Sequence, residues 1–176
     1  EDTPSVKSMM CVLRAQMNVG NFERADEAQR IWRRVASDLP SAQLFHQVLR
    51  AYEFASTRED DPKVRANCIH EIERLVLEEW RDTKINNSSN GKSFSIAVKA
   101  MSGVGVEILP DSCERAENLA IKYLGVKFFA KLFINPDESS IQGMEMMSLT
   151  DLQLVRNIAE LYSKYPDSRR LEQGMQ

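Results

Sequence analysis

The feature that most constrains this chain is a four-residue phrase that recurs at the interval of a helical repeat. Val-Leu-Arg-Ala occupies residues 12–15 and returns at residues 48–51, and the related Ala-Val-Lys-Ala stands at residues 97–100. The first interval is 36 residues and the second is 49, the excess being a polar insertion. Helix pairs repeated at about 35 residues are typical of an α-solenoid. The sequence therefore predicts an all-α fold, an α-solenoid of about three helix-turn-helix repeats with a further C-terminal helix.

Apolar spacing and turn residues predict where the first helices lie. Val6 and Leu13, with the methionines between and after them, recur at three- and four-residue spacing and give the first helix one apolar face. Gly20 ends that helix and Asn21 caps the next one. Because the connection is so short, the two helices are expected to form an antiparallel hairpin.

Polar segments set the next predicted boundaries. Asp61 followed by Pro62 has the pattern of a helix cap and a first-turn proline. Residues 83–91, rich in asparagine and serine, are predicted as a flexible surface loop. Two further helices are then expected, one at residues 92–102 and one from residue 112 to about residue 131.

The last helix is predicted to begin at a capping box formed by Thr150 and Gln153. These boundaries give three expected regions. A helical-repeat domain covers residues 3–131, and a C-terminal helical extension at residues 132–165 packs on the last repeat. The polar residues 166–176 form a flexible tail.

Composition argues for a folded protein without a global nucleic-acid signal. The hydrophobic fraction is 43%, the charged fraction is 28% and the net charge is −3, so a basic surface would have to come from the distribution of charge over one face. The most apolar run, at residues 124–134, contains two lysines and is too short to span a bilayer. The chain begins with Glu1 rather than methionine, so we expect a processed product or a piece of a longer protein.

The residues that usually carry catalysis or bind metals form no recognisable constellation. Cys11, Cys68 and Cys113 are far apart, no Cys-x-x-Cys is present, and only two histidines could complete a site. We interpret the cysteines as reduced thiols of an intracellular protein. No nucleophile motif surrounds a serine or histidine. The sequence therefore predicts no enzyme, no metal site, no cofactor and no membrane partner.

Aligning the three phrases places a similar row of side chains on each first helix. Positions seven apart on a helix share a face, and the aligned rows are Lys7, Met10, Arg14; Gln43, His46, Arg50; and Lys92, Ser95, Lys99. Five of these nine residues are cationic in a chain that is acidic overall. Stacked about 10 Å apart, the rows would form a basic groove that follows a phosphate backbone, with the middle residues facing bases. The alternative is that the cations only solvate the exposed helix surfaces.

The repeat resembles a known family. Helices open with Phe45-His46 and Phe94-Ser95, Val-Leu-Arg-Ala-Tyr follows, and Gly-Asn-Phe-Glu-Arg-Ala at residues 20–25 matches a junction between paired helices. Together these features are similar to the pentatricopeptide repeat, over about residues 3–124. The resemblance implies binding of single-stranded RNA along a concave face, usually in mitochondria or plastids. The tetratricopeptide repeat, a protein-binding relative, is the rival resemblance.

The resemblance also implies which residues would read bases. Carried over, they are Met10 with Ser41, His46 with Asn90, and Ser95 with a partner that cannot be placed. Phosphates would then be contacted by the remaining residues of the groove: Lys7, Arg14, Gln43, Arg50, Lys92 and Lys99. The predicted function is single-stranded RNA binding within an organellar RNA-processing or translation factor. The alternative is a protein–protein interaction scaffold that holds an acidic or amphipathic peptide in the same groove.

Overall fold

The computed structural model describes residues 4–82, 87–133, 143–144 and 147–165. Within these ranges the side chains of residues 79–90 and of residue 127 are not described. The helices with defined bounds in these ranges are α1 (Val6–Val19), α2 (Phe22–Val35), α3 (Ala42–Arg58), α4 (Pro62–Asp82), α5 (Asn87–Val104), α6 (Ser112–Leu124), α7 (Val126–Phe133) and α8 (Leu149–Lys164). No strand occurs in the described ranges. The all-α prediction is confirmed. None of the described helices is long and apolar enough to cross a membrane.

The chain divides into two compact units, residues 1–89 and residues 90–176. This boundary differs from the expected one between residues 131 and 132. The third predicted repeat and helix α8 belong to the same unit, because α8 packs on α6 and is hydrogen-bonded to α5. Residues 83–86 of the predicted loop and the predicted tail at residues 166–176 lie outside the described residues.

In the first unit, α3 is the central helix. It packs against α1, α2 and α4, and most of its side chains are buried. The C-terminal ends of α1 and α3 meet, since Arg58 Nη1 donates to the carbonyl oxygen of Asn18 at 3.3 Å. The two first helices of the predicted repeats therefore run in the same direction, with the antiparallel helix α2 between them along the chain.

The connection between α1 and α2 matches the prediction in detail. Gly20 has φ of 73°, a left-handed conformation that favours glycine after a helix. The Asn21 side chain caps α2 by accepting a hydrogen bond from the backbone N–H of Arg24 at 3.0 Å. Glu59 adds a second acceptor, because its Oε1 accepts from the N–H of Phe22 at 2.7 Å. The end of α3 thus stabilises the start of α2.

A buried polar pair fixes α2 against α3. The Tyr52 side chain is fully buried and its hydroxyl lies 2.7 Å from the side-chain amide of Gln29, which is also buried. Orienting the amide so that its nitrogen donates to Tyr52 leaves its oxygen 3.1 Å from Arg74 Nη2 and 3.0 Å from Arg33 Nη2; we assign this orientation because both amide groups then have partners. Since an unpaired buried amide is costly, this pair selects one arrangement of the two helices.

Burial explains the second and third copies of the recurring phrase. In the second and third copies, all residues except the cation are buried, so that Arg50 and Lys99 alone are exposed. In the first copy only Leu13 is buried. The difference follows from position, because α3 has packed neighbours on several sides whereas α1 packs mainly on α2 and α3.

In the second unit, α8 lies alongside α5. Asn157 Nδ2 donates to the carbonyl oxygen of Ser95 at 2.9 Å and to its Oγ at 3.0 Å. Seven residues further along both helices, Lys164 Nζ lies 3.4 Å from Ser102 Oγ. Because the contacts advance together, α5 and α8 run in the same direction, as α1 and α3 do.

Three predicted boundaries need correction. Helix α5 begins at Asn87 instead of residue 92, so that residues 87–91 are helical rather than a loop. The predicted helix from 112 to 131 is broken at Gly125, whose φ is 84°, into α6 and α7. Helix α8 is capped by Ser148, which accepts from the N–H of Asp151 at 3.2 Å, and not by Thr150. The predicted Asp61 cap is confirmed, since its Oδ1 accepts from the N–H of Lys63; the Ser41 side chain makes no cap hydrogen bond.

The burial of Cys68 in α4 predicts a loss of stability in alkali. Burial, with a smaller effect from Glu59, raises the pKa of Cys68 from 9.0 to about 12. The folded state therefore retains a proton that the unfolded chain releases above pH 9, and stability falls as the pH rises. We expect Cys68 to lower the free energy of unfolding by about 1 kcal/mol between pH 9 and pH 10. Any contribution from the buried tyrosines is additional to this loss. Urea unfolding at these two pH values should show this loss, and Cys68→Ala should remove it; an equal loss in the variant would contradict the prediction.

Candidate nucleic-acid interface

The first predicted row, Lys7, Met10 and Arg14, lies on α1. Its two cations are the only charged residues of that helix. Lys7 and Arg14 are exposed and stand seven residues apart, which on a helix is about 10 Å. Cys11 is exposed between them, and Met10 is half-buried. Helix α1 contains no carboxylate. Its positive charge is therefore not neutralised within the helix.

The second row, on α3, exposes less of its middle residue, because α3 is surrounded by other helices. Gln43 and Arg50 are exposed, whereas His46, which stands between them in the row, is only 5% exposed. Ser41, the predicted partner of Met10, is half-buried ahead of the first turn of α3. Since α1 packs directly on α3, Lys7, Arg14 and Arg50 belong to two neighbouring helices. We call these three residues the cationic line.

The third row lies on α5, in the second unit. Lys92 and Lys99 are exposed, as predicted. Ser95 between them is 6% exposed, and its hydroxyl already accepts a hydrogen bond from Asn157. The side chain of Asn90, the predicted partner of His46, lies outside the described residues. The structure thus places the cations of each row at the surface and two of the three middle residues inside.

The cations of α2 and α4 have a different environment, because several of them form ion pairs with carboxylates. Arg30 pairs with Asp26 and Glu27 along α2. Arg74 bonds Glu71 and Glu78 along α4, and Arg33 of α2 lies 3.7 Å from Glu78. Hydrogen bonding to Glu71 raises the pKa of Arg74 above its ordinary value despite burial. These guanidinium groups are therefore already neutralised.

The cationic line contains no such pairs. Lys7, Arg14 and Arg50 form no salt bridge with a carboxylate of the described residues. Three other exposed cations of the described first unit also lack one, but they lie on α2 and α4, which are rich in carboxylates: Arg24, Arg34 and Lys63. A fourth, Arg58 at the end of α3, is already engaged by the carbonyl oxygen of Asn18 and the ring of Phe54. Segregation of unneutralised charge to α1 and α3 is the property that distinguishes this surface.

Sequence reasoning missed the role of Asn157. This residue is 3% exposed and lies among the apolar residues of the buried face of α8, where Gln153 Nε2 donates to its side-chain oxygen at 2.9 Å. An asparagine on the apolar face of a helix signals a buried hydrogen-bond partner. That signal was present in the sequence, but the identity of the partner, Ser95, could come only from the structure.

Among the described residues, no group of three or more histidine, cysteine, aspartate or glutamate side chains is positioned to hold a metal ion. Comparisons with protein-family models, curated proteins and solved structures give no match to this chain. The pentatricopeptide-like interpretation consequently rests on the residues quoted above.

Proposed function

We propose that this protein binds single-stranded RNA through the cationic line of its first unit. The observation that carries the proposal is the separation of charge between helices. Several cations of α2 and α4 form ion pairs with carboxylates. In contrast, Lys7, Arg14 and Arg50 are exposed on α1 and α3, and these two helices together contain one carboxylate, Glu53. Only unneutralised cations release counterions when they meet a phosphate.

The arrangement of helices within each unit supports a repeat architecture for this surface. In the first unit α1 and α3 run in the same direction, and in the second unit α5 and α8 do so. A stack of pentatricopeptide-like hairpins requires this alternation of parallel first helices and intervening second helices. The proposal therefore includes helix-turn-helix repeats of the α-solenoid type within each unit, and Lys92 and Lys99 are two further exposed cations on α5 of the second unit. By the same resemblance, the protein acts in organellar RNA processing or translation.

The test compares two triple variants of equal charge. Lys7, Arg14 and Arg50 are replaced by glutamine in the first variant, and Lys63, Arg24 and Arg34 in the matched control. Each variant loses one lysine and two arginines, all exposed. Binding of a labelled RNA pool is measured by anisotropy across a salt series. For the wild type, three phosphate contacts predict a slope of log K against log salt of about −2, or roughly 15-fold weaker binding from about 50 to 200 mM salt.

The location of the site has an independent readout. Cys11 lies between Lys7 and Arg14 and is exposed, whereas Cys68 and Cys113 are buried. Saturating RNA should therefore slow alkylation of Cys11 several-fold and leave the other thiols unaffected. We expect the first variant to lose both the salt-dependent binding and the protection of Cys11, with the control close to wild type. Equal weakening in both variants would show that net charge, and not this surface, attracts RNA.

The surface of α1 also favours a second function, a protein-binding scaffold. Val12 is 42% exposed and Val19 is 55% exposed, on the same side of the helix. They face away from Lys7 and Arg14, more than about 100° round the helix, and exposed apolar residues of this kind suit the apolar face of an amphipathic peptide. Replacing Val12 and Val19 by serine should leave RNA binding unchanged if the cationic line is the site. A loss of RNA binding in that variant would favour an apolar interface.

A further inference from the structure

Reading of a base needs an exposed donor or acceptor beside the phosphate contacts, and the middle residues of the rows do not supply one. Met10 is half-buried and its thioether sulfur is at most a weak acceptor. His46 is 5% exposed. The rows therefore present cations at their ends, and no strong hydrogen-bonding group of their middle residues reaches solvent.

A specific contact with Asn157 keeps Ser95 from bases in solution. Asn157 donates to both its hydroxyl and its carbonyl oxygen, and Asn157 is itself held by Gln153. All three side chains belong to the second unit, and Asn157 is 3% exposed. A base could reach Ser95 only after α8 had separated from α5, which would break this chain of hydrogen bonds.

Free stacking platforms for bases are scarce on the two helices of the cationic line. Helix α1 contains no aromatic residue. On α3, Phe45 and Tyr52 are buried, and the guanidinium carbon of Arg58 lies over the ring of Phe54, 4.9 Å from its centroid. Stacking on aromatic side chains is a main source of base contacts in single-strand binding. Because the only ring of α1 and α3 that is not buried, Phe54, is already stacked on Arg58, the sugar-phosphate backbone is left as the main ligand.

We infer that the cationic line contacts the RNA backbone alone and that the protein binds single strands with little regard to base. This inference rests on the proposed function and specifies its ligand as the phosphate chain. It differs from the base-reading pairs implied by the resemblance, because burial removes His46 and Ser95 from the surface. Modest differences between bases would then reflect only the stiffness of each strand.

The test uses labelled oligouridine, oligocytidine and oligoadenosine of about 12 nucleotides, a length within the usual range for single-strand sites. We expect the three dissociation constants to agree within about threefold at one salt concentration, and Met10→Ala to leave their ratios unchanged within about twofold. A preference of about tenfold or more, or a changed ratio in Met10→Ala, would overturn the inference while leaving RNA binding intact. Failure of all three strands to bind, with the protein folded by circular dichroism, would overturn both this inference and the proposed function.

Discussion

Replacement of Tyr52 by alanine is expected to destabilise the first unit by about 3–5 kcal/mol, the usual cost of removing a large buried aromatic side chain. Tyr52 is fully buried at the centre of α3 and meets the ring of Phe22 edge-on, with 5.9 Å between the centroids. Its hydroxyl also partners the buried amide of Gln29. The substitution therefore removes packing against α2 and leaves a buried amide without one of its hydrogen bonds.

The conservative change Tyr52→Phe separates these two effects. It keeps the ring and removes only the hydroxyl, so that about 1–3 kcal/mol should be lost through the unsatisfied Gln29 amide. Urea unfolding followed by circular dichroism measures both values. In a Gln29→Leu background, where the amide is absent, Tyr52→Phe should cost less than about 1 kcal/mol. If Tyr52→Ala costs no more than Tyr52→Phe, the packing of α2 on α3 is not as the structure shows.

Local sequence signals were sufficient for the helices of the first unit. The Asn21 and Asp61 caps and the glycine at the end of α1 act over three or four residues, so that no tertiary information is needed to recognise them. The predicted apolar face of α1 was equally accessible, since Met9 and Leu13 recur at helical spacing and are both buried. Helical period and capping determine secondary structure here almost without reference to the rest of the fold.

Burial of polar residues could not be predicted in this way. His46 and Ser95 occupy the same positions in their rows as half-buried Met10, and the sequence alone makes all three accessible. Their burial depends on which other helices surround α3 and α5, and in the case of Ser95 on a hydrogen bond from a residue 62 positions away. Exposure of the cations was easier to predict, because burying an unpaired lysine or arginine is costly in any fold.

The burial of Gly91 could not be predicted from the local sequence either. Its local composition predicts a flexible loop, whereas in the structure Gly91 is a buried contact residue of α5. A Cβ atom there would lie 2.5 Å from Asp151 Oδ1, 2.9 Å from Tyr123 Oη and 3.3 Å from Thr150 Oγ1. These groups are mutually bonded, because Tyr123 donates to Asp151 at 2.7 Å. Burial and this hydrogen bond raise the pKa of Tyr123, so that it remains a donor.

Gly91→Ala is therefore expected to destabilise the second unit by about 2–4 kcal/mol, through overpacking and loss of the Tyr123–Asp151 bond. In an ordinary helix the same change stabilises by up to about 1 kcal/mol. Gly103→Ala, at an exposed position of the same helix, is the matched control and should be neutral or stabilising.

Thermal or urea unfolding of the two glycine variants gives opposite signs if α5, α6 and α8 meet at Gly91. Asp151→Ala should relieve about half of the cost of Gly91→Ala, because the nearest atom is then removed; the expected coupling is about 1–2 kcal/mol. If Gly91→Ala instead stabilises the protein as Gly103→Ala does, α5 does not approach α8 closely. The burial of Ser95, which depends on the same two helices, would then lose its structural basis, and a base could reach the third row.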